Sequence, residues 1–173
     1  MARLTKYQVL GTKFEIWLEH LFKNLGYEQV FRNVEYRLSR NCFRQVDLLV
    51  FETNGYKIKK TLVEAKYSSN GPIKYFLRQK KKKSAQQLPR IDNLVDELLE
   101  RKSFTGADKA LLVTNKHFDG LILKESKKKN VGIIQGHNLE EAYRRSGGKL
   151  SLEESISKIN LGNYRLYKNI LYV

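Results

Sequence analysis

Cysteine is nearly absent from this 173-residue chain: Cys42 stands alone, so no disulfide can form within it and the several thiolates of a zinc–cysteine site are missing. No apolar stretch approaches the roughly 20 residues that span a bilayer, and Met1–Lys6 is not followed by the hydrophobic segment of a signal peptide. The expectation is a soluble protein of a reducing compartment, the cytoplasm. No internal repeat is present, and the length is that of one domain. Acidic residues are also few, 18 against 33 basic ones, which gives a formal charge of +15 and an isoelectric point near 9.8. A surplus of that size exceeds what solubility needs and implies a polyanionic partner.

What is present is enough for a core, since 41% of the residues are hydrophobic. From Thr12, the residues Phe14, Trp17, Leu18, Leu21, Phe22 and Leu25 recur at helical spacing, and Gly26 is a stop signal. Val30-Phe31 and Val34–Leu38 suggest a first strand within residues 27 to 43. Ser68–Pro72 is loop chemistry, and Arg78–Lys83 carries five positive charges in six residues, which reads as a mobile basic loop. Leu88, Ile91, Leu94, Val95, Leu98 and Leu99 restore the helical period, with Pro89 tolerable only in the first turn. The unbroken apolar runs Ala110–Thr114 and Val131–Ile134 flank a helical segment from Phe118 to Lys129, the pattern of a parallel βαβ unit. Leu139–Arg145 reads as a short helix and Ser151–Glu154 as a capping box opening another, through Ile159. We expect a domain over residues 1–150, then a helix and apolar tail over 151–173 that packs on the domain or on a second subunit.

The chemistry is concentrated in a hairpin. Asn54-Gly55 is a two-residue turn signal between Val46–Phe51 and Thr61–Ala65. With Thr53 facing Tyr56, Asp47 falls opposite Leu62, and alternation places Leu62, Glu64 and Lys66 on the face of Asp47. Glu64 becomes the diagonal neighbour of Asp47, roughly 7 to 8 Å away between backbones, so both carboxylates reach one ion. An error of two residues leaves this unchanged; an error of one turns Asp47 to the other face. Hydrolysis of a phosphodiester needs charge stabilisation and an activated water, which a divalent ion supplies in an open carboxylate site. Asp47, Glu64 and the backbone carbonyl of Ala65 are the expected ligands, and Lys66 would orient the water or stabilise the phosphoryl group. Glu15 borders the apolar helix face and has two readings, a fourth polar group at the site or the closing residue of a capping box begun by Thr12. A carboxylate near a strand end is also commonly a solvated group, but Asp47 and Glu64 are both embedded among apolar neighbours.

Gly11-Thr12-Lys13-Phe14-Glu15, Leu25-Gly26-Tyr27, Val46-Asp47-Leu48-Leu49 and Val63-Glu64-Ala65-Lys66 together resemble the PD-(D/E)XK nuclease superfamily. The resemblance is nearest to its Mrr-like restriction endonucleases and archaeal Holliday junction resolvases, and it covers about residues 10 to 145, including Ala110–Asn115 and Val131–Ile134. It implies an α/β fold, an αβα sandwich around a mixed central sheet with an antiparallel catalytic hairpin followed by a parallel half. It also implies metal on Asp47 and Glu64, action of Lys66 at the water or phosphate, and Glu15 as a helix carboxylate completing the acidic cluster. Val46 stands where the family has proline, which leaves the chemistry unchanged. The implied activity is Mg2+-dependent DNA cleavage, with Mn2+ as a possible substitute, by a homodimer. Lys74, Arg78, Lys80, Lys81, Lys82, Lys83 and Arg90 would contact phosphates rather than base edges. A Holliday junction resolvase and a nucleic-acid-binding module with an idle site are the alternatives.

Overall fold

The computed structural model describes residues 5–77, 91–161 and 169–172. Six strands form one sheet in the order β5-β4-β3-β2-β1-β6, covered by helices on both faces. The first three strands, β1 (Gln29–Ser39), β2 (Cys42–Asn54) and β3 (Lys57–Lys66), are antiparallel neighbours. β4 (Lys109–Thr114) and β5 (Gly132–Ile134) then add in parallel. This is the mixed αβα sandwich expected from the sequence.

Helix α1 (Lys6–Asn24) begins earlier than its apolar stripe suggests. Thr5 is its N-cap: its hydroxyl accepts from the Gln8 amide at 3.3 Å, while the Gln8 side chain accepts from the Thr5 amide at 2.8 Å. The capping box at Thr12–Glu15 is therefore overturned, because Thr12 lies inside a helix whose start is satisfied elsewhere. Glu15 is left free of a capping duty. Phe14, Trp17, Leu18, Leu21 and Phe22 bury one face of α1 against Leu48, Val50, Val63 and Val113 of the sheet. Phe14 and Leu18 are completely buried, each contributing about 2 kcal/mol by transfer from water.

The opposite face carries α2 (Leu94–Thr105) and α3 (Gly120–Lys128). Leu94, Val95, Leu98 and Ile122 pack there on Leu49, Leu62, Ala110 and Leu112. α2 starts later than its sequence period implies: Asn93 is the N-cap, its side chain accepting from the Asp96 amide at 2.9 Å, and Ile91 precedes the helix. α4 (Gly136–Arg145) and α5 (Leu152–Ser157) return to the α1 side, where Leu139, Leu152 and Ile156 join its cluster. The last strand, β6 (Asn169–Tyr172), pairs in parallel with β1 from Val34↔Asn169 to Arg37↔Tyr172. Asn169–Tyr172 thus extend the chain's own sheet beside β1.

The hairpin register differs from the expected one. Asn54 pairs with Lys57 and Leu49 with Leu62, so Gly55 and Tyr56 form the turn and Asn54 belongs to the strand. Positive φ falls on Gly55, at 60°, as the first central position of a type II′ turn requires. The slip is two residues, and parity is preserved.

Candidate active site

β2 and β3 part company at Asp47. Their pairing runs from Asn54↔Lys57 to Leu48↔Val63 and stops one position before Asp47. There the Asp47 carboxylate replaces a ladder partner, its Oδ2 accepting from the Ala65 amide at 2.9 Å. The alternation of faces is also reset: Leu48 and Val50 join the α1-side cluster, whereas Val46 joins Leu49 on the α2 side. β1 changes face in step, with Val30 on the α1 side and Val34 on the α2 side of Asn33. Asn33 has a left-handed backbone, φ 54°, and its Oδ1 accepts from the Gln45 side chain at 2.5 Å. A non-glycine residue with that backbone inside a strand marks a local irregularity of the sort found beside active sites. This irregularity in β1 and β2 coincides with the opening of the β2–β3 ladder at Asp47.

Glu64 lies on the α2 side of this opening and is only 2% exposed. Lys66, two residues along β3, donates to its Oε1 at 2.5 Å. Arg101 of α2 donates to Oε2, and its other terminal nitrogen donates to Glu97 at 2.9 Å. Burial by itself would raise the Glu64 pKa, but Lys66 and Arg101 outweigh it and hold the carboxyl below its ordinary range. Burial would likewise discharge Lys66; the charges of Glu64 and Asp47 reverse that and keep its pKa raised.

Asp47 and Glu15 are in the opposite condition. Burial, then the charge of Glu64, pushes Asp47 up to about 7, against a partial offset from Lys66 and the Ala65 amide. Burial, then the charge of Asp47, pushes Glu15 up to about 8, with Arg32 and Lys66 opposing. α1 presents Glu15 here because its neighbour Phe14 stacks edge-on against Tyr67, just past Lys66, with ring centroids 5.9 Å apart. Arg32 of β1 is bound to Glu19, one turn further along α1, at 3.3 Å. Glu15, Asp47, Glu64 and Lys66 therefore gather in one electrostatic unit.

Two members of that unit were not read from the sequence. Arg101 occupies the buried stripe of α2 formed by Leu94, Leu98 and Thr105, and a cation at such a position is the signal that could have revealed it. Arg32 sits between Val30 and Val34 on a largely buried strand, a similar anomaly. Among the described residues no three His, Cys, Asp or Glu side chains stand close enough to hold one ion. An ion on Asp47 and Glu64 would take its other ligands from backbone and water, as magnesium usually does. The donor set fits that ion in its chemistry: Asp47 and Glu64 offer carboxylate oxygens, and Asp47 is met by a backbone amide rather than by a cation. Lys74 is exposed; Arg78, Lys80, Lys81, Lys82, Lys83 and Arg90 lie outside the described residues. Among the described residues, no helix is long and apolar enough to cross a membrane.

Comparison with known proteins bears on the fold and the family. No curated protein is detectably similar in sequence. A protein of unknown function, AF1548, aligns structurally over 78% of this chain and 67% of its own, with a TM-score of 0.53 and 14% identity. Protein VC1899 from Vibrio cholerae covers 80% of this chain, with a TM-score of 0.51 and 14% identity. The DNA modification-dependent restriction endonuclease AspBHI covers 86% of this chain, also at 0.51 and 14%. The chain spans 35% and 37% of the lengths of these last two, so what is shared is a fold within larger proteins. The family model Mrr_cat, described as restriction endonuclease, matches residues 7–143, from the first turns of α1 through α4, and the chain belongs to that family.

Proposed function

We propose that the chain is a magnesium-dependent endonuclease that hydrolyses phosphodiester bonds of DNA in the manner of an Mrr-like restriction enzyme. The observation that carries this reading is the joint placement of Asp47, Glu64 and Lys66 where β2 and β3 separate. Asp47, Glu64 and the Ala65 carbonyl would hold the ion, with Glu15 as a nearby acid. Bound there, the ion would stabilise charge on the phosphoryl oxygens and lower the pKa of a water. Lys66, held charged beside Glu64, orients that water or meets the charge growing on phosphorus. In the reaction a water oxygen bonds to phosphorus, the bridging P–O bond breaks, and the leaving oxygen takes a proton. Glu15, outside the proposed ligand set and with its pKa pushed up to about 8, is suited to exchange protons near neutral pH.

The charge of +15 supports DNA as the partner and sequence-independent backbone contact as the mode. If six phosphates are neutralised, the log–log salt slope of duplex binding is about −5. Cutting both strands needs two sites, so the active form is a homodimer acting in the cytoplasm, and sedimentation at assay concentration checks its mass. The deciding assay incubates plasmid, linear duplex, single strand and four-way junction in parallel with Mg2+, Mn2+ or EDTA. Metal-dependent cutting of duplex, lost in Asp47→Ala with DNA binding retained, is the expected result. Preference for the junction would move the assignment to a resolvase. Absence of cutting by the wild type on every substrate would overturn it.

A further inference from the structure

The Glu64 carboxylate is the only acid of the proposed site that carries two cations. Lys66 takes one oxygen and Arg101 the other, while the Asp47 carboxylate is met by a backbone amide. Lys66 alone would neutralise Glu64. A second cation on the same buried carboxylate leaves neither of its oxygens free, so an ion shared with Asp47 would have to displace one of the two. Arg101 also holds a stripe position on α2 that Leu94 and Leu98 fill with apolar packing. Its side chain is 19% exposed and its second anchor, Glu97, is one helical turn back at 2.9 Å. The guanidinium therefore has somewhere to remain when it leaves Glu64.

We infer that Arg101 is a displaceable counter-ion of the metal site, holding Oε2 of Glu64 until a divalent cation takes that oxygen and then, tethered by Glu97, binding a phosphate oxygen of the DNA. The inference rests on the proposed function and deepens it. Electrostatics dictates the exchange: a divalent ion between Asp47 and Glu64 repels a guanidinium on the same carboxylate. The freed group has five donors in a planar fork, which suits a phosphate better than an ammonium would. Until displaced, Arg101 keeps Glu64 ionised and aimed into the site, so the ion meets a ligand already in its binding form. The other charged groups facing it are Lys66, Asp47 and Glu97.

The test uses the full chain. Calorimetric titration of the DNA-free protein with Mn2+ should show Arg101→Met binding at least about tenfold tighter than wild type. Arg101→Lys, which keeps a cation on the helix, should stay closer to wild type than Arg101→Met. With Ca2+ present, Arg101→Met should reduce the magnitude of the salt slope of DNA binding by about one. In EDTA the slope should not change. A second measurement needs no substitution: in wild type, Mg2+ should shift the Arg101 side-chain NH resonance and speed its solvent exchange. Unchanged or weaker Mn2+ binding by Arg101→Met, or an unmoved resonance, overturns the inference while leaving the nuclease assignment intact. A wild type that neither binds metal nor cuts DNA overturns both.

Discussion

The two flanks of the candidate site are electrically opposite. On the α2 flank, Glu64 is saturated by Lys66 and Arg101, and its carboxyl is held ionised. On the α1 flank, burial and then a neighbouring carboxylate's charge push the pKa of Asp47 up to about 7 and that of Glu15 up to about 8. The difference separates two duties that one carboxylate cannot combine. A preformed ligand must be ionised and oriented before the ion arrives, whereas the demand for an ion comes from acids that lack counter-charge. On the proposed function, the flank built from β3 and α2 would take the first duty and the flank built from β2 and α1 the second.

The largest expected effect is on chemistry, where the flanks should behave alike. Glu64→Gln and Asp47→Asn should each lower Mg2+-dependent cleavage by at least about a thousandfold, read by single-turnover gel assay. Stability should then divide them. Glu64→Gln strands Lys66 and Arg101 beside a neutral amide and should cost about 3 kcal/mol in urea unfolding. Asp47→Asn removes a carboxyl that the fold protonates against its ordinary preference, and should raise the Tm at pH 8. Shifts of the same sign in both variants would erase the distinction between the flanks.

The pH dependence follows from the direction of the shifts. Asp47 and Glu15 have folded-state pKa values of about 7 and 8, raised from ordinary values of 3.8 and 4.5, so the folded chain binds more protons than the unfolded one between those limits. Their stabilising contribution is complete below about pH 4 and is lost as the pH rises toward 8. Thermal melts in EDTA should show that decline, and saturating Mg2+ should flatten it. Glu15→Gln should remove its upper part and lower cleavage by about tenfold, less than either proposed ligand. The smallest effect belongs to the helix that presents Glu15. Thr5→Ala should cost about 1 kcal/mol and Thr12→Ala close to nothing, because only Thr5 caps α1.

Much of this was legible from local pattern. The apolar period of α1 identified Phe14 to Phe22, and the alternation in the hairpin put Glu64 and Lys66 on one side. The register error arose because Asn54-Gly55 carries a strong turn signal, yet the strand consumes Asn54 and the turn falls on Gly55-Tyr56. The two-residue slip left the shared face of Leu62, Glu64 and Lys66 unchanged, while the reset of alternation at Asp47 had no local signal. The start of α1 was misplaced because Gly11 interrupts the pattern between Leu10 and Phe14, and the cap at Thr5 is visible only in its pairing with Gln8. Arg101 was hidden for a different reason: it meets Glu64 across 37 residues, and no local period encodes a contact of that range. The basic residues from Arg78 to Arg90, apparent in the sequence as a charge run, lie outside the described residues.

The pairing of β6 with β1 sets the order in which this sheet can be finished as the chain is synthesised. β1 leaves the ribosome about 130 residues before its outer partner, an interval of roughly ten seconds at ordinary translation speed. Throughout that time the outer row of β1 amides and carbonyls is an open template for any extended segment nearby. Nascent chains on one message should therefore be most vulnerable to intermolecular strand exchange just before Asn169–Tyr172 emerges.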